Sequence, residues 1–254
     1  MLIEYTPQIT LIIIYLCIGL FAGFMSGMFG IGGGAVRIPL LNLVGLPLLS
    51  AFGINLFIVP FSSLVGAVSQ RENIEKEIAI YLGVGGVFGA IIGAFLAGLI
   101  ATLILILALI YFALSFVIVL GIFLDRIVPT LAHKINLTRK GFFASSFFLS
   151  LMAAIRGGSA GSLFPAFLKA TGCDIHKAIA TSLCVTIFTC IGAAVIFWSR
   201  GDIIWLPAIF ALIGSMIGAR LGSAVSLQTK SVWLEIGLGI LVMGLALIVV
   251  YKAL

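Results

Sequence analysis

Two glycine-rich stretches contain the residues of this sequence that could do chemistry. The first begins at Gly27 and reads GMFGIGGGAVRIPLL. The second begins at Arg156 and reads RGGSAGSLFPAF. A glycine run followed by a new helix offers unpaired backbone N–H groups at the positive end of a helix dipole, and such groups bind anions. The two stretches therefore predict an anion site whose donors come from residues 31–35 and 157–161.

One arginine accompanies each stretch, Arg37 within the first and Arg156 at the start of the second. A charged side chain in the middle of a membrane costs about 3 kcal/mol, and such residues usually face a cavity. The guanidinium fork matches the oxygen geometry of sulfite, sulfonate and carboxylate groups. We therefore predict that both arginines face a substrate cavity. The alternative is that either side chain extends to the membrane surface and leaves its charge in water.

Polar side chains follow both stretches at matching positions, Asn55 after the first and Thr181 and Ser182 after the second. They could donate hydrogen bonds to the same cavity, or they could cap the long helices that begin nearby. Pro39 and Pro165 are predicted to be structural, because each belongs to the short helix after its glycine run. The predicted substrate-binding residues are Gly32, Gly33, Gly34, Arg37, Asn55, Arg156, Gly157, Gly158, Ser159, Thr181 and Ser182.

No catalytic or metal-binding motif accompanies these residues. The sequence contains no HExxH, GxSxG or Walker A pattern, and its four cysteines form no CxxC pair. No carboxylate falls clearly at the middle of an apolar segment, so no buried proton relay is visible and the coupling mechanism stays open. We therefore predict a protein that is not an enzyme and that needs no cofactor or metal.

The composition indicates the environment that must surround these residues. The chain has 254 residues, of which 63% are hydrophobic and 9% are charged, whereas soluble domains average about 25% charged residues. A soluble fold of this size could not hide so much apolar surface, so the lipid bilayer is the predicted partner. The net charge of +6 is spread singly over segment ends. This spacing is typical of topology signals and argues against a nucleic-acid partner.

Apolar segments long enough to cross a membrane recur along the chain. A crossing helix needs about 20 apolar residues, and candidate spans lie at 8–29, 50–70, 78–98, 102–124, 141–162, 178–198, 203–224 and 232–251. The apolar pieces 35–46 and 162–171 are too short and are predicted to be half-helices. The predicted fold is an all-α integral membrane protein with about eight transmembrane helices.

The eight spans would place the loops 71–77, 125–140 and 199–202, together with the C terminus, on one side. These segments contain most of the loop lysines and arginines, so the positive-inside rule assigns them to the cytoplasm. We therefore predict a multi-pass protein of the cell membrane with both termini in the cytoplasm.

The two glycine-rich stretches belong to a longer internal similarity. The aligned pairs are GGGAVRIPLL from Gly32 with GSAGSLFPAF from Gly158, GLPLLSAFGIN from Gly45 with GCDIHKAIATS from Gly172, and GAIIGAFLAG from Gly89 with GSMIGARLGS from Gly214. We predict two homologous repeats, each with a helix break and a half-helix. Many secondary transporters consist of repeats that hold the substrate between them.

The predicted organisation is a first transmembrane repeat at 1–124, a cytoplasmic connecting loop at 125–140, and a second repeat at 141–254. An even number of crossings in each half implies parallel repeats. If each half-helix completes a crossing, the repeats are inverted, and the sequence does not choose between the two arrangements.

These motifs resemble the TauE/SafE family, which is named for the export of sulfite and sulfoacetate. The first half resembles the family pattern closely, with Ile54 and Asn55 where the family usually has Thr-Ser. The second half keeps Thr181 and Ser182 but departs from the full glycine run. The resemblance covers essentially the whole chain and implies a permease for sulfite, sulfoacetate or related organosulfonates. Arg37 and Arg156 are inferences from the residues and not from the family pattern.

Three functional hypotheses follow. The first is a permease that holds a small anionic substrate between the repeats and exposes it to the two sides alternately. The second is a passive anion channel, or a transporter of a different small anion. The third is a membrane component without transport activity, against which the lack of catalytic groups and of a soluble docking domain argues. Formation of a homo-oligomer stays open.

Overall fold

The computed structural model of the chain describes residues 5–97, 138–155 and 157–241, and every long regular element in these ranges is a helix. The helices are α1 Tyr5–Phe29, α2 Gly34–Leu43, α3 Leu48–Ser69, α4 Lys76–Leu96, α5 Arg139–Ile155, α6 Phe164–Ala170, α7 Ile175–Ser199, α8 Trp205–Gln228 and α9 Ser231–Leu241. Short 3-10 turns occur at Arg71–Asn73 and Ala160–Ser162.

Five helices in these ranges are long and apolar enough to cross a membrane: α1, α3, α4, α7 and α8. They correspond to the predicted spans 8–29, 50–70, 78–98, 178–198 and 203–224. The span predicted at 141–162 is shorter than expected, because α5 ends at Ile155 just before the glycines. The span predicted at 102–124 and most of the loop at 125–140 lie outside the described residues. The last predicted span begins as α9, which the structure follows to Leu241.

The half-helices are placed close to their predicted positions. Helix α2 covers Gly34–Leu43 and α6 covers Phe164–Ala170, where the sequence predicted 35–46 and 162–171. Pro165 lies in the first turn of α6, where the missing N–H of proline costs no helical hydrogen bond. Pro39 lies inside α2 instead, where it removes one hydrogen bond from a helix of ten residues.

Two pairs of helices are held together by glycines. Gly19, Gly23 and Gly27 of α1 lie against the backbone of α8 so closely that a Cβ on any of them would overlap it. Gly85 and Gly89 of α4 lie against the backbone of α5 in the same way. Small residues let membrane helices approach at the backbone, which replaces the hydrophobic driving force that lipid cannot supply.

These contacts also give the directions of the helices. Gly19 lies against Ala211 and Gly27 against Ala219, so α1 and α8 run parallel. Gly53 lies against Ile203 and Gly66 against Ser223, so α3 also runs parallel to α8. The corresponding contacts of α4, α5 and α7 show that these three helices run in the opposite direction. Helices that the internal alignment pairs, α1 with α5, α3 with α7 and α4 with α8, therefore run in opposite directions. These directions are the ones that the inverted alternative predicts.

The prediction that the 71–77 and 199–202 loops share one side is wrong, whereas Arg139, at the end of the 125–140 loop, does lie beside Glu77. The 71–75 loop lies beside the start of α7, as the 2.6 Å ion pair between Glu75 and Lys177 shows. Arg200 lies at the other end of the bundle, where it binds the last carbonyls of α4. Because α2 returns the chain after α1, α3 starts beside the start of α8, and the 71–77 loop lies at the end of the bundle opposite the start of α1. Helix α6 returns the chain again after α5, so the 199–202 loop lies at the end where α1 starts. We name the two ends the Arg71 end and the Arg200 end.

Candidate functional site

The structure brings the two glycine breaks into contact at the centre of the bundle. The first break comprises residues 30–33 and the second residues 157–163. A Cβ at Gly32 would lie 2.5 Å from the Oγ of Ser159, and one at Gly161 would lie 3.3 Å from the backbone nitrogen of Gly32. Thr186, at the middle of α7, lies against both of these glycines. The breaks therefore pack against each other in one buried region, as a common substrate site requires.

The first break exposes a row of backbone donors to this space. Gly30, Gly32 and Gly33 have φ values of 72°, 72° and 69°, a left-handed conformation that residues with a Cβ adopt only at a cost. In this conformation the N–H groups of residues 31–35 form no hydrogen bond with any described residue. Residues 31–34 are buried, so these donors are withdrawn from water as well.

The second break leaves fewer donors free. The N–H groups of Gly157 and Gly158, both predicted to bind substrate, donate instead to the carbonyls of Ala154 and Ala153, each at 2.9 Å. These bonds close the last turn of α5. Only the N–H groups of residues 159–161 form no hydrogen bond within the described chain. Arg156, which the sequence also predicted to bind substrate, lies outside the described residues.

Arg37 is completely buried in the structure, with 0% of its surface exposed. Its Nη1 donates to Oδ1 of Asn55 at 2.8 Å, and its Nη2 donates to Oγ of Ser215 at 2.9 Å. Ser215 in turn donates to the carbonyl of Gly19 at 3.0 Å. The alternative that Arg37 extends to the membrane surface is therefore wrong, and its charge lies between α2, α3 and α8.

No described residue neutralises this charge. No carboxylate in the described ranges lies within 4.0 Å of the Arg37 nitrogens, and its Nε has no hydrogen-bond partner there. An uncompensated buried charge costs several kcal/mol even after the protein relaxes around it. Asn55 and Ser215 supply only neutral oxygens. The site is therefore one that a bound anion would stabilise.

Asn55 and Ser182, which the sequence aligned with each other, each bind the break of the opposite half. Ser182 donates to the carbonyl of Gly30 at 2.7 Å. Nδ2 of Asn55 lies 3.5 Å from the carbonyl of Gly157, at the limit of a hydrogen bond. Neither residue caps a helix, because α3 begins at Leu48 and α7 at Ile175. The capping alternative is therefore wrong for both.

Thr181 is the one aligned residue that does not reach the breaks. Its Oγ1 accepts a hydrogen bond from the backbone N–H of Glu75 at 3.0 Å. This contact fixes the loop between α3 and α4 at the Arg71 end. The cap of α7 is Asp174, whose carboxylate accepts from the N–H of His176 at 2.9 Å.

The sequence reasoning missed several residues that line the buried space. Ser159, which was predicted, and Ser150, which was not, both have a buried hydroxyl without a partner among the described residues. They face a gap shared with Thr189 and Cys190 that is too small for a water molecule. Ser215 was missed as well, although the alignment pairs it with Ala90, and a polar residue in place of alanine was a signal that could have identified it. Within the described ranges, no group of three His, Cys, Asp or Glu side chains could hold a metal ion.

A helical bundle with several membrane-crossing helices and two interrupted ones that meet near its centre has the architecture of secondary transporters. The chain belongs to the TauE/SafE family: residues 15–249 match the family described as "Sulfite exporter TauE/SafE". It is thus a multi-pass membrane protein of a transporter family.

Two curated relatives agree with this assignment. The chain is 25% identical over 213 residues to the "Probable membrane transporter protein YdhB" of Bacillus subtilis, a match that covers 79% of this chain and 84% of the relative. It is 40% identical over 55 residues to a "Probable membrane transporter protein" of Methanocaldococcus jannaschii. That match spans 22% of this chain and about a fifth of the relative, 21%. No solved structure matches the chain.

Proposed function

We propose that the chain is a permease for small anions and that the anion binds where the two glycine breaks meet. The observation that carries the proposal is Arg37, a fully buried cation without a carboxylate partner in the described ranges. A protein can keep such a charge when a ligand of opposite charge occupies the site during part of the cycle. The proposed ligands are the predicted residues that lie at the breaks, joined by Ser215: Gly32, Gly33, Gly34, Arg37, Asn55, Ser159 and Ser182.

The donors around Arg37 fit an oxyanion. The free N–H groups of the first break, the N–H groups of residues 159–161 and the hydroxyl of Ser159 all border the same buried space. Each oxygen of a sulfite or sulfonate group accepts more than one hydrogen bond, so several donors can be satisfied by one small ligand. The family description names sulfite, and we propose sulfite, sulfoacetate and related organosulfonates as the substrate class.

The closure of both bundle ends supports a permease over a passive channel. At the Arg71 end, Lys177 binds Glu75 at 2.6 Å. At the Arg200 end, the Arg200 guanidinium donates to the carbonyls of Ala94 and Ala97 at 2.9 and 2.7 Å. The described residues of both breaks are buried in this conformation, so release of a substrate from them would require one of the two ends to open, which is the principle of alternating access.

The distribution of charge supports an orientation in which the Arg71 end faces the cytoplasm. The positive residues near this end are Arg71, Lys76, Arg139, Lys140, Lys169, Lys177 and Lys230. Arg200 is the positive residue at the opposite loop. Under the positive-inside rule the start of α1 then lies outside the cytoplasm, which replaces the prediction of a cytoplasmic N terminus. A membrane-impermeant maleimide should label Gly201→Cys but not Glu72→Cys in intact cells.

The test of the proposed function is the substitution Arg37→Gln. Removing one partner of a buried charge pair costs about 2–5 kcal/mol, so the apparent affinity for sulfite should fall at least ~30-fold. Uptake of labelled sulfite into proteoliposomes measures this, together with thermal stabilisation by sulfite, sulfoacetate and sulfate.

Arg220→Gln is the matched control, because Arg220 is an exposed arginine of α8. This variant should retain both sulfite uptake and thermal stabilisation. Unchanged affinity in a folded Arg37→Gln protein would contradict the proposed site, and uptake that never exceeds the outside concentration under any imposed ion gradient would identify a passive channel.

A further inference from the structure

The residue that follows α3 and the residue that follows α7 each contact the end of a neighbouring helix, but only the second of them is charged. Arg200 follows α7 and places its guanidinium cation on two carbonyls at the end of α4. Gln70 follows α3 and places a neutral amide near the end of α1, where its Nε2 donates to the carbonyl of Gly27 at 3.0 Å. One helix end therefore has a protein cation against its negative dipole, and the other does not.

The Gln70 end has buried oxygens without partners instead. The unpartnered atoms are Oε1 of Gln70 and the hydroxyl oxygens of Ser26, Ser63 and Ser226. Each of these side chains is at most 1% exposed. Buried polar atoms in native proteins normally have a partner, and each exception requires an explanation such as a bound ion. Four exceptions at one helix junction therefore point to a ligand that accepts electron pairs.

Side-chain contacts and helix spacing place these oxygens at the junction of α1, α3 and α8. The carbonyl of Gly27 accepts from Gln70 at 3.0 Å and lies 3.4 Å from Oγ of Ser223. A Cβ at Gly66 would lie 3.3 Å from the same hydroxyl. Ser63, Gly66 and Gln70 are three and four residues apart and share one face of α3.

The two remaining oxygens are the hydroxyls of Ser226 and Ser26. Ser226 is three residues beyond Ser223 and follows it along one face of α8. Ser26 directly precedes Gly27 in the last turn of α1. The unpartnered side chains of three neighbouring helices therefore lie towards the same end of the bundle as the carbonyl of Gly27.

We propose that this junction binds a small monovalent cation, with sodium as the ion that fits best. Amide, hydroxyl and carbonyl oxygens are hard ligands of the kind that hold sodium at unwound helix ends in transporters. None of the proposed ligands is a carboxylate, whereas sites for calcium and magnesium use carboxylates to offset the double charge. The nearby cations Arg71 and Lys230 are exposed, so water and salt screen their repulsion.

The cation site is connected directly to the first break. Gly30, which opens the break, donates its N–H to the carbonyl of Ser26 at 2.8 Å. An ion held by Ser26 and Gly27 therefore fixes the last turn of α1 and the geometry of the donors that follow. If the anion binds at the breaks as proposed above, sodium and anion binding should favour each other to the same extent, because linkage is reciprocal.

The experiment measures the melting temperature of the purified protein in detergent, without any candidate anionic substrate. The titrated salts are sodium chloride, potassium chloride and choline chloride at constant total chloride and ionic strength. Sodium should raise the melting temperature saturably, by roughly 5–10 °C at ~100-fold above its dissociation constant. Equal effects of sodium and choline would overturn the proposal, and so would a greater effect of potassium than of sodium.

Two substitutions locate the effect. Ser226→Ala removes a hydroxyl that has no partner among the described residues, so the fold should survive while the sodium response weakens at least ~10-fold in concentration. Gln70→Ala should abolish the response. Ser62→Ala is the control, because Ser62 is equally buried on α3 but donates to Val59 of its own helix. If the Ser226→Ala and Gln70→Ala variants both fold and both keep the normal sodium response, the proposed site is wrong.

The sodium and anion sites can fail separately. If sodium does not raise the melting temperature but sulfite does, the cation site alone is refuted. Stabilisation by sodium but by no anion would refute the proposed anion site and leave the cation site standing. When both ligands bind, the concentration of sulfite needed for half-maximal stabilisation should fall as sodium rises, and no such fall would refute the connection through α1.

Discussion

The first glycine break keeps its donors free, whereas the second uses part of its own to end a helix. In the first break three glycines with positive φ precede a ten-residue helix, and the N–H groups of residues 31–35 have no partner in the described chain. In the second break Gly157 and Gly158 close the last turn of α5, and the helix that follows has seven residues.

This difference teaches that similar sequence motifs do not supply equal halves of a site. The first break provides most of the free donors and lies next to Arg37. The internal alignment pairs this arginine with Leu163, so the second half has an uncharged residue at the same position. The second break supplies Ser159 and closes the space from the other side. If the anion binds as proposed, most of its backbone donors come from the first half, and the second half contributes the hydroxyls of Ser159, Ser182 and Ser215.

The largest effect should come from substitution of Gly32. An alanine there needs a left-handed backbone, which costs about 1–2 kcal/mol, and its Cβ would overlap Ser159, which adds about 1–3 kcal/mol. Gly161→Ala meets Thr186 and the Gly32 nitrogen but has no positive φ, so it should cost less. Sulfite uptake and melting temperature measure both.

Gly45→Ala is the control for this pair. Gly45 has a φ of 94°, but nothing lies within 4 Å of its Cβ position. This variant therefore carries the backbone strain alone and should retain sulfite binding. If Gly161→Ala were as damaging as Gly32→Ala, the first break would not be the dominant one.

Asn55→Ala and Ser182→Ala should differ in their stabilisation by sulfite, and by less than the two glycine variants differ. Asn55 accepts from the Arg37 cation, and hydrogen bonds to charged groups are worth about 1.5–3 kcal/mol. Ser182 donates to the neutral carbonyl of Gly30, a bond worth about 1 kcal/mol. Thermal stabilisation by sulfite should therefore weaken more in Asn55→Ala, and the reverse order would show that Arg37 is not the centre of the site.

The smallest effects should distinguish the two bundle ends. Arg200→Gln removes two charge-assisted bonds from a partly buried guanidinium, and we expect it to lower stability by about 1–3 kcal/mol. Lys177→Gln breaks a more exposed ion pair with Glu75, which water and salt screen, and should lower stability less. Melting temperatures of the two variants test this order, and a larger loss in Lys177→Gln would reverse the assignment of the tighter end.

The sequence by itself determined the local elements of the protein. The length of each apolar segment predicted the five described membrane-crossing helices, and the glycines and prolines predicted both interruptions and the half-helices after them. These features are local, because a helix needs apolar length to cross lipid and glycine releases the backbone wherever it occurs. Arg37 stands beside the first break in the sequence itself, so its position there required no tertiary information.

Only the tertiary structure decided which of these elements meet. Hydropathy cannot tell whether α2 stops halfway or brings the chain back to the Arg200 end, so the 71–77 and 199–202 loops were wrongly predicted to share one side. Whether Arg37 reaches the surface or binds Asn55 and Ser215 depends on helices distant in sequence. The use of the Gly157 and Gly158 donors to end α5 was likewise a matter of geometry, because each buried donor binds the acceptor that packing places beside it.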